Sequence, residues 1–450
     1  MRNDGSSAPR ERSYKDNSAV KRDRGAAASV NRKYDGSGKK LSAGRAIERK
    51  DSAVDRYERR ERERIKKEKA WNEGIERVRS GQDWVFFIIV MLLVSVGTVM
   101  VYSASYPSAI AEGFNAFHYV GKQIIFVVAG VVVMLILSYF PIRWVKKLAP
   151  PLFGLTLILL AAVPFVGKEV NGAKRWIQVT SSIRLQPSEI AKFTVVVMLA
   201  WYVSKYGDRF LREPNWKRRF WNGVVKPSFI VFIIAGMIAI EKHLSATIIV
   251  VAISVIVLFL AGTDWKLMLP YYGIIGSVAI FVYLKLFPYA MDRVNTFTNE
   301  APDIFSEYWQ TYQGKLAIGS GGFLGLGLGQ SRQKFSYVAE AQNDFVFTIW
   351  CEEMGFVGAL VVIGLFVALI VRGYRIALRA PDTFSSLIVF GIITQVGLQA
   401  FLNILVVTDT IMNTGISLPF LSYGGSSLIV LMGEMGVVLS VSRQSYQKKL

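Results

Sequence analysis

The feature that most constrains this chain is a series of ten long apolar runs. They lie at about 84–102, 120–140, 148–167, 190–204, 228–241, 245–262, 267–287, 345–370, 384–407 and 426–442. As helix, roughly 17–25 such residues cross a hydrocarbon core of roughly 30 Å. Lipid offers free backbone amides no partners, so helices are the economical way across. The runs predict an all-α fold: a polytopic membrane protein with ten transmembrane helices and a large extracellular loop between helices 7 and 8. The fourth and fifth runs are short, so their ends are the least defined. No cleaved signal peptide is expected, because 83 largely polar residues precede the first run.

Charge sets the expected orientation. Lys and Arg concentrate in 1–83, 141–147, 205–227, 371–383 and 443–450, which share one side of a ten-span chain with 263–266. The positive-inside rule makes that side cytoplasmic. A multi-pass protein of the cytoplasmic membrane with both termini inside follows. The net charge of +20 comes largely from these segments, so it calls for no nucleic acid partner. Three regions result: a basic, disordered tail over 1–83, a membrane domain over 84–442 and a short C-terminus over 443–450. The tail holds 24 Lys or Arg and 15 Asp or Glu with few large apolar residues. Such a segment cannot offset its ordering entropy by burial. It reads as a solvated extension, or as one drawn to anionic membrane lipids. Its stretch 51–80 is compatible with a charged helix that lacks an apolar stripe.

Several chemistries find no support. The one cysteine, Cys351, lies within a span and excludes an internal disulfide. His118 and His243 are far apart and lack zinc-type spacing. No metal motif is present, and a divalent cation stays open as a cofactor. Gly319, Gly321, Gly322, Gly325, Gly327 and Gly329 miss the dinucleotide spacing and follow no strand.

The loops on the expected outer side are unusually basic. Segment 167–193 carries Lys168, Lys174, Arg175 and Arg184. Either the loop is tolerated because other spans dominate insertion, or it binds phosphate, for which Arg offers a planar fork and Lys a point charge. Glu189 and Lys192, three apart at a helix start, share a face. Segment 288–343 contains Arg293, Lys315, Arg332 and Lys334, with Tyr308, Trp309 and Tyr312 as interfacial anchors or sugar platforms. Loops this long are usually functional. Asp344 stands where the next span begins, as a helix cap or as a reactive carboxylate. The glycines of 319–329 either cradle phosphate as a backbone nest or allow close packing.

Four segments, RWIQVTSSIRLQPSEIAKF, AIGSGGFLGLGLGQSRQKF, EAQNDFVFTIWCEEMGF and TGISLPFLSYGGSS, resemble in order and placement the SEDS family (shape, elongation, division and sporulation). This is the FtsW/RodA/SpoVE group of bacterial peptidoglycan glycosyltransferases. The resemblance covers about 84–442, and the SRQK segment is similar to the division and sporulation branch. It implies a membrane enzyme that polymerises lipid II on the outer face. It also implies a cognate monofunctional class B penicillin-binding transpeptidase and other divisome or elongation proteins as partners. Asp344 matches the family's essential acid. Arg175, Glu189 and Lys192 match its RW…QPSE..K loop. Lys174, Trp176, Arg332 and Lys334 join them as expected substrate contacts, with Glu352, Ser422 and Gly424 in support. The chain departs from the family at Gln342-Asn343, Lys242 to Ser245 and Met412 to Gly415, where His-Thr, Pro-Asp-Leu-Gly and Pro-Thr-Thr-Gly are common.

With that substrate, an acceptor hydroxyl attacks an anomeric carbon bearing pyrophosphate. A base must take the proton and cations must meet the departing charge. Asp344 is the expected base; Lys174, Arg175, Arg332 and Lys334 are the expected cations. Glu352 and Glu353 lie about 12–14 Å deeper along the helix at 1.5 Å per residue. Neighbours about 100° apart are not expected to face one partner. Together with Glu434 these buried acids keep a lipid II flippase in view, and a non-catalytic division scaffold is a third reading.

Overall fold

The computed structural model describes residues 77–79, 81–170, 173–178, 180, 184–298, 308–335, 337–338 and 340–448. The tail expected over 1–83 lies outside the described residues as far as residue 76. In chain order the elements are β1 (Arg77–Arg79), α1 (Trp84–Ala111), α2 (His118–Tyr139), α3 (Ile142–Val166), β2 (Lys168–Val170), β3 (Ala173–Gln178) and β4 (Arg184–Leu185). Then come α4 (Pro187–Leu211), α5 (Trp216–Ile240), α6 (Leu244–Leu260), α7 (Trp265–Leu286), α8 (Pro288–Thr298) and α9 (Trp309–Ser320). Finally come α10 (Val346–Leu378), α11 (Thr383–Val407), α12 (Gly425–Gln444) and β5 (Tyr446–Lys448).

Each expected apolar run falls in one helix. Eight helices among the described residues are long and apolar enough to cross a membrane. The two short of that standard are α6, at 17 residues, and α4, whose apolar stretch is broken by Lys192 and Lys205. The chain is thus a helical, polytopic membrane protein whose clear spans by length and composition number eight.

Local rules place the helix ends. The Asp83 carboxylate caps α1 by accepting from Phe86 N at 3.0 Å, which satisfies an orphan amide. The same carboxylate takes Arg372 Nε of α10 at 2.8 Å, and Asp83 N donates to Ser442 Oγ of α12 at 3.2 Å. Three helices are thereby tied at one end. Beside this tie β1 pairs antiparallel with β5, Arg77 opposite Lys448 and Arg79 opposite Tyr446. Residues 77–79 are therefore strand, where a charged helix was compatible with the sequence.

At the other end, β2, β3 and β4 form a three-stranded sheet in that order. The chain from 415 to 424, which turns at 419–421, crosses α1 at Gly97, where any β-carbon would collide with the Phe420 carbonyl. Phe420 itself holds φ at 66°. Close approach, rather than a turn, is why glycine sits in this helix.

The segment expected as an external loop over 288–343 is only partly a loop, and part of it is inserted. After α9, the glycine-rich chain runs down beside α10: Leu326 N donates to Glu352 O at 3.0 Å and Gly327 N to Glu353 O at 2.9 Å. Phe356 N donates back to Gly322 O at 3.0 Å. The helix can exchange these bonds because it is interrupted at Gly355, with φ 66° and ψ −166°. A β-carbon there would strike the Gly325 amide.

Glu352 and Glu353 both meet the inserted 331–334 turn, contrary to the expectation that neighbours on a helix face different partners. Glu352 accepts from Ser331 Oγ at 2.5 Å, Arg332 N at 3.0 Å and Gln333 N at 3.4 Å. Glu353 Oε1 accepts from Lys334 Nζ at 3.0 Å, Ser103 Oγ of α1 at 2.6 Å and Ser331 N at 3.3 Å. Lys334 and Glu353 are 3% and 0% exposed. Removing one partner of so buried a pair leaves an uncompensated charge, at a cost of about 3–5 kcal/mol. Glu353→Gln is therefore expected to lower the unfolding midpoint in detergent markedly. An unchanged midpoint would mean that the pair does not hold the inserted segment.

Candidate active site

A cavity of ≈ 610 Å³ opens at the end of the bundle that carries β2–β4. Its walls come from the starts of α2, α4, α6 and α12, the hairpin around β3, and segments 340–344 and 415–417. Lys122, Arg175, Arg184 and Lys192 bring positive charge; Glu112, Glu189, Glu340 and Asp344 bring negative charge.

Asp344 is held by its backbone and left free at its carboxylate. Asn403 Nδ2 of α11 donates to Asp344 O at 2.8 Å and to Ile416 O at 2.6 Å, pinning two wall segments with one amide. Tyr423 N donates to Gln342 O at 2.8 Å. Phe345 stands at the cap of α10, which has no side-chain cap. Capping is thus not the role of Asp344, and among the described residues no donor hydrogen-bonds its carboxylate. Gly415 lets the chain pass: a β-carbon there would lie 3.2 Å from Asp344 Oδ2, at a φ of 67°.

The surroundings tune this acid. Burial, then the neighbouring Glu340, push the Asp344 carboxyl up to about 6, while Arg175 and Arg293 pull it down. Arg175 is aimed by its bond to Lys242 O at 2.5 Å, and Arg293 by its bond to Asn413 O at 2.6 Å. Lys192, 2% exposed, pairs with Glu189 at 2.9 Å and donates to Gln399 Oε1 at 2.9 Å. His243 lies 3.3 Å from Ser188 Oγ. Burial, with Arg175 and Lys192 nearby, holds its imidazole down at about 3, so it enters the cavity uncharged.

Among the expected site residues, the structure brings together Asp344, Arg175, Trp176, Glu189, Lys192 and Gly424 on the cavity wall. Lys174 is exposed and turned to Pro164 O at 3.3 Å. Arg332 is exposed away from the cavity, and Lys334 and Glu352 belong to the buried cluster beside α10. Ser422 is buried behind the wall, its Oγ accepting from Leu418 N at 2.7 Å. The glycine stretch packs against α10, the second of its two readings. Sequence reasoning missed Lys122, Glu340, Asn403 and Gln399. It also set aside His118 and His243, which both line the cavity. The available signal was position: Lys122 and His118 open one apolar run, and His243 opens another. Among the described residues no group of three or more His, Cys, Asp or Glu is arranged to hold a metal ion.

Fold and site define a polytopic helical membrane protein with an acid-centred polar cavity at one end of its bundle. Comparison with known proteins narrows this. Residues 83–447 match the family model of FtsW, RodA and SpoVE, described as cell cycle protein. Stage V sporulation protein E of Bacillus subtilis is 37% identical over 371 residues, covering 82% of this chain and 98% of that protein. A protein of Geobacter sp. (strain M18), named probable peptidoglycan glycosyltransferase FtsW, is 34% identical over 364 residues, covering 80% and 97%. Among solved structures, a chain from a study of polymerization and crosslinking by a peptidoglycan synthase complex matches with TM-score 0.66 and 28% identity, covering 80% and 98%. Thermus thermophilus rod shape determining protein RodA matches with TM-score 0.59 and 27% identity, covering 82% and 98%. The chain belongs to the FtsW/RodA/SpoVE family, on its FtsW-like side.

The raised Asp344 carboxyl has a definite sign. Between the ordinary carboxylate range near 4 and about 6, the folded chain keeps a proton that the unfolded chain has released. This group's contribution to stability therefore declines as pH rises through that window. A carbodiimide reacts with the protonated acid, so its coupling to Asp344, followed by mass spectrometry, should fall with a midpoint near pH 6. Glu340→Gln should move the midpoint down. A wild-type midpoint near 4 would overturn the assignment.

Proposed function

We propose that this chain is a peptidoglycan glycosyltransferase. It joins lipid II units into glycan strands on the outer face of the cytoplasmic membrane, and Asp344 is its catalytic base. The observation that carries the reading is a carboxylate that accepts no hydrogen bond from the described residues and stands in a cation-lined cavity, and the names of its relatives support it. The acceptor hydroxyl attacks the anomeric carbon of the donor. Its proton passes to Asp344, the glycosidic C–O bond forms, and the bond to pyrophosphate breaks. Arg175 and Lys192 stand where the departing negative charge collects, which a preorganised, partly dry site stabilises far better than water. Arg184 adds to that field. Asp344 must be ionised, so turnover rises with pH through about 6.

A transport reading draws on acids within the bundle. Here Glu352 and Glu353 are engaged by the 331–334 turn and Glu434 by Gln395 Nε2 at 3.0 Å, which favours packing roles. The likeness to a chain of a synthase complex that couples polymerization to crosslinking supports a class B penicillin-binding transpeptidase as partner. The pairing of β1 with β5 brings both ends of the membrane domain to one end of the bundle, opposite the cavity. That arrangement agrees with cytoplasmic termini and an outward site.

Two outcomes test this function. Asp344→Asn keeps shape and removes the base, so polymerisation of labelled lipid II by the purified protein should drop by about 10²–10⁴-fold, the usual contribution of a general base, with an unchanged unfolding midpoint. A folded Asp344→Asn protein with near wild-type rate would exclude the assignment. For orientation, cysteines at Asn115 and Lys174 should react with an impermeant maleimide on intact cells, and one at Arg212 should not. The reverse pattern would invert the topology.

A further inference from the structure

One buried acid near the cavity takes no part in the proposed chemistry. Glu241 is the first residue after α5 and is 3% exposed. Among the described residues no donor reaches either of its carboxylate oxygens. The other buried glutamates are hydrogen-bonded: Glu353 to Lys334, Glu352 to the 331–334 turn and Glu434 to Gln395. Burial without a donor disfavours the ionised form, so any charge on Glu241 depends on a nearby cation.

The turn that carries Glu241 reaches such a cation. It closes α5 as a Schellman motif, with Lys242 N donating to Ala239 O at 3.0 Å and His243 N to Ile238 O at 3.4 Å. The residue after the cap in this motif is usually glycine, because the chain there is left-handed. Here it is Lys242, at φ 55°. In that conformation the Lys242 carbonyl accepts from the Arg175 guanidinium at 2.5 Å. Arg175 lines both the main cavity and a small one bounded by Lys242, Ser245 and Thr414. Its charge acts on two acids, Asp344 and Glu241, and favours the ionised form of each. The other charged or titratable groups about this turn are Lys242 and His243 within it, Glu189 and Lys192 of α4, Arg293 of α8, and Asp344. Among the described residues Arg175 is the charge that acts on Glu241, and His243 is neutral. Burial pushes the Glu241 carboxyl up to about 8 against the pull of Arg175.

We propose that Glu241 is a positioning residue that couples anion binding at Arg175 to proton uptake: the ionised acid shares Arg175 while the cavity is empty, and a pyrophosphate that engages the guanidinium drives Glu241 to take a proton from solvent. Pyrophosphate as the anion rests on the polymerase reading; the placing of Arg175 between Glu241 and Asp344 does not. A bound phosphate cancels the one charge that favours the Glu241 carboxylate, so its carboxyl rises further from about 8. Binding therefore takes up a proton at and above that pH. Well below it the acid already holds its proton and Glu241 contributes nothing. When the pyrophosphate leaves, the proton returns to solvent.

The test is calorimetric titration of the purified full-length chain in detergent with geranyl pyrophosphate. The last ionisation of that probe, near about 6, is complete in the range used. At about pH 9, heats measured in two buffers of different ionisation enthalpy should show close to one proton taken up per ligand bound. The affinity should fall about tenfold between about pH 8 and about pH 9.5. Glu241→Gln should bind without that uptake and without that fall, a change that loss of a merely structural side chain would not produce. Arg175→Gln should weaken binding and abolish the uptake together. No proton uptake by wild type, or undiminished uptake in Glu241→Gln, would each overturn the role, and the wild-type arm decides the matter even for a variant that does not fold. Failure of the probe to bind at any pH would remove the anion site on which the role depends. Lipid II polymerisation by the same preparations separates the two ideas. A wild type that takes up the proton without polymerising sustains the role of Glu241 and removes the polymerase. One that polymerises and binds without uptake removes the role of Glu241 alone.

Discussion

The structure depends on how two adjacent carboxylates, Glu352 and Glu353, are engaged by one inserted turn inside a helical bundle. Isolated charges there are very costly, and irregular backbone at that depth is tolerated only when its polar groups find partners in protein. Each problem solves the other. The 331–334 turn donates its amides, a hydroxyl and an ammonium to the carboxylates. The carbonyls that α10 exposes on breaking at Gly355 receive the amides of the inserted glycine chain. From this anchored turn the chain climbs back to Asp344, where Asn403 takes hold of it. The Asp344 carboxylate is thus fixed from below and from the side without being used as an anchor itself.

The helical framework was legible because membrane burial leaves a coarse signal: every apolar run became a helix, and Glu189 and Lys192 met as their spacing required. Which polar residues share the cavity was less legible. Adjacent residues part company here: Arg175 enters the cavity while Lys174 turns to Pro164 O. Lys334, read as a free cation, is spent on Glu353. Periodicity gives the face of a residue within its own element, and these outcomes depend on another element. The insertion of 321–327 beside α10 was hidden for the same reason, since glycines suit a phosphate nest and a tight backbone crossing alike.

The three segments where the chain departs from its family read as unrelated loops, yet they meet. Lys242 O receives Arg175, Ser245 Oγ donates to Thr414 O, and Gln342 and Asn343 line the same wall as His243 and Gly415. An uncharged imidazole stands where an acid is common, beside Arg175 and Lys192. The departures therefore meet in one place, beside Asp344.

The packing of α12 against α2 carries a consequence for biosynthesis. Gly436 lies on the Met134 backbone, Ser440 Oγ donates to Phe140 O at 2.5 Å, and Arg443 donates to Tyr139 O at 2.7 Å. One wall of the cavity is the start of this final helix, and β5 then closes on β1. Chains emerge from the ribosome N-terminus first, so a nascent chain already carries Asp344 while it still lacks that wall. Assembly order itself therefore sets when the cavity is complete: its walls close only after α12 has joined the bundle.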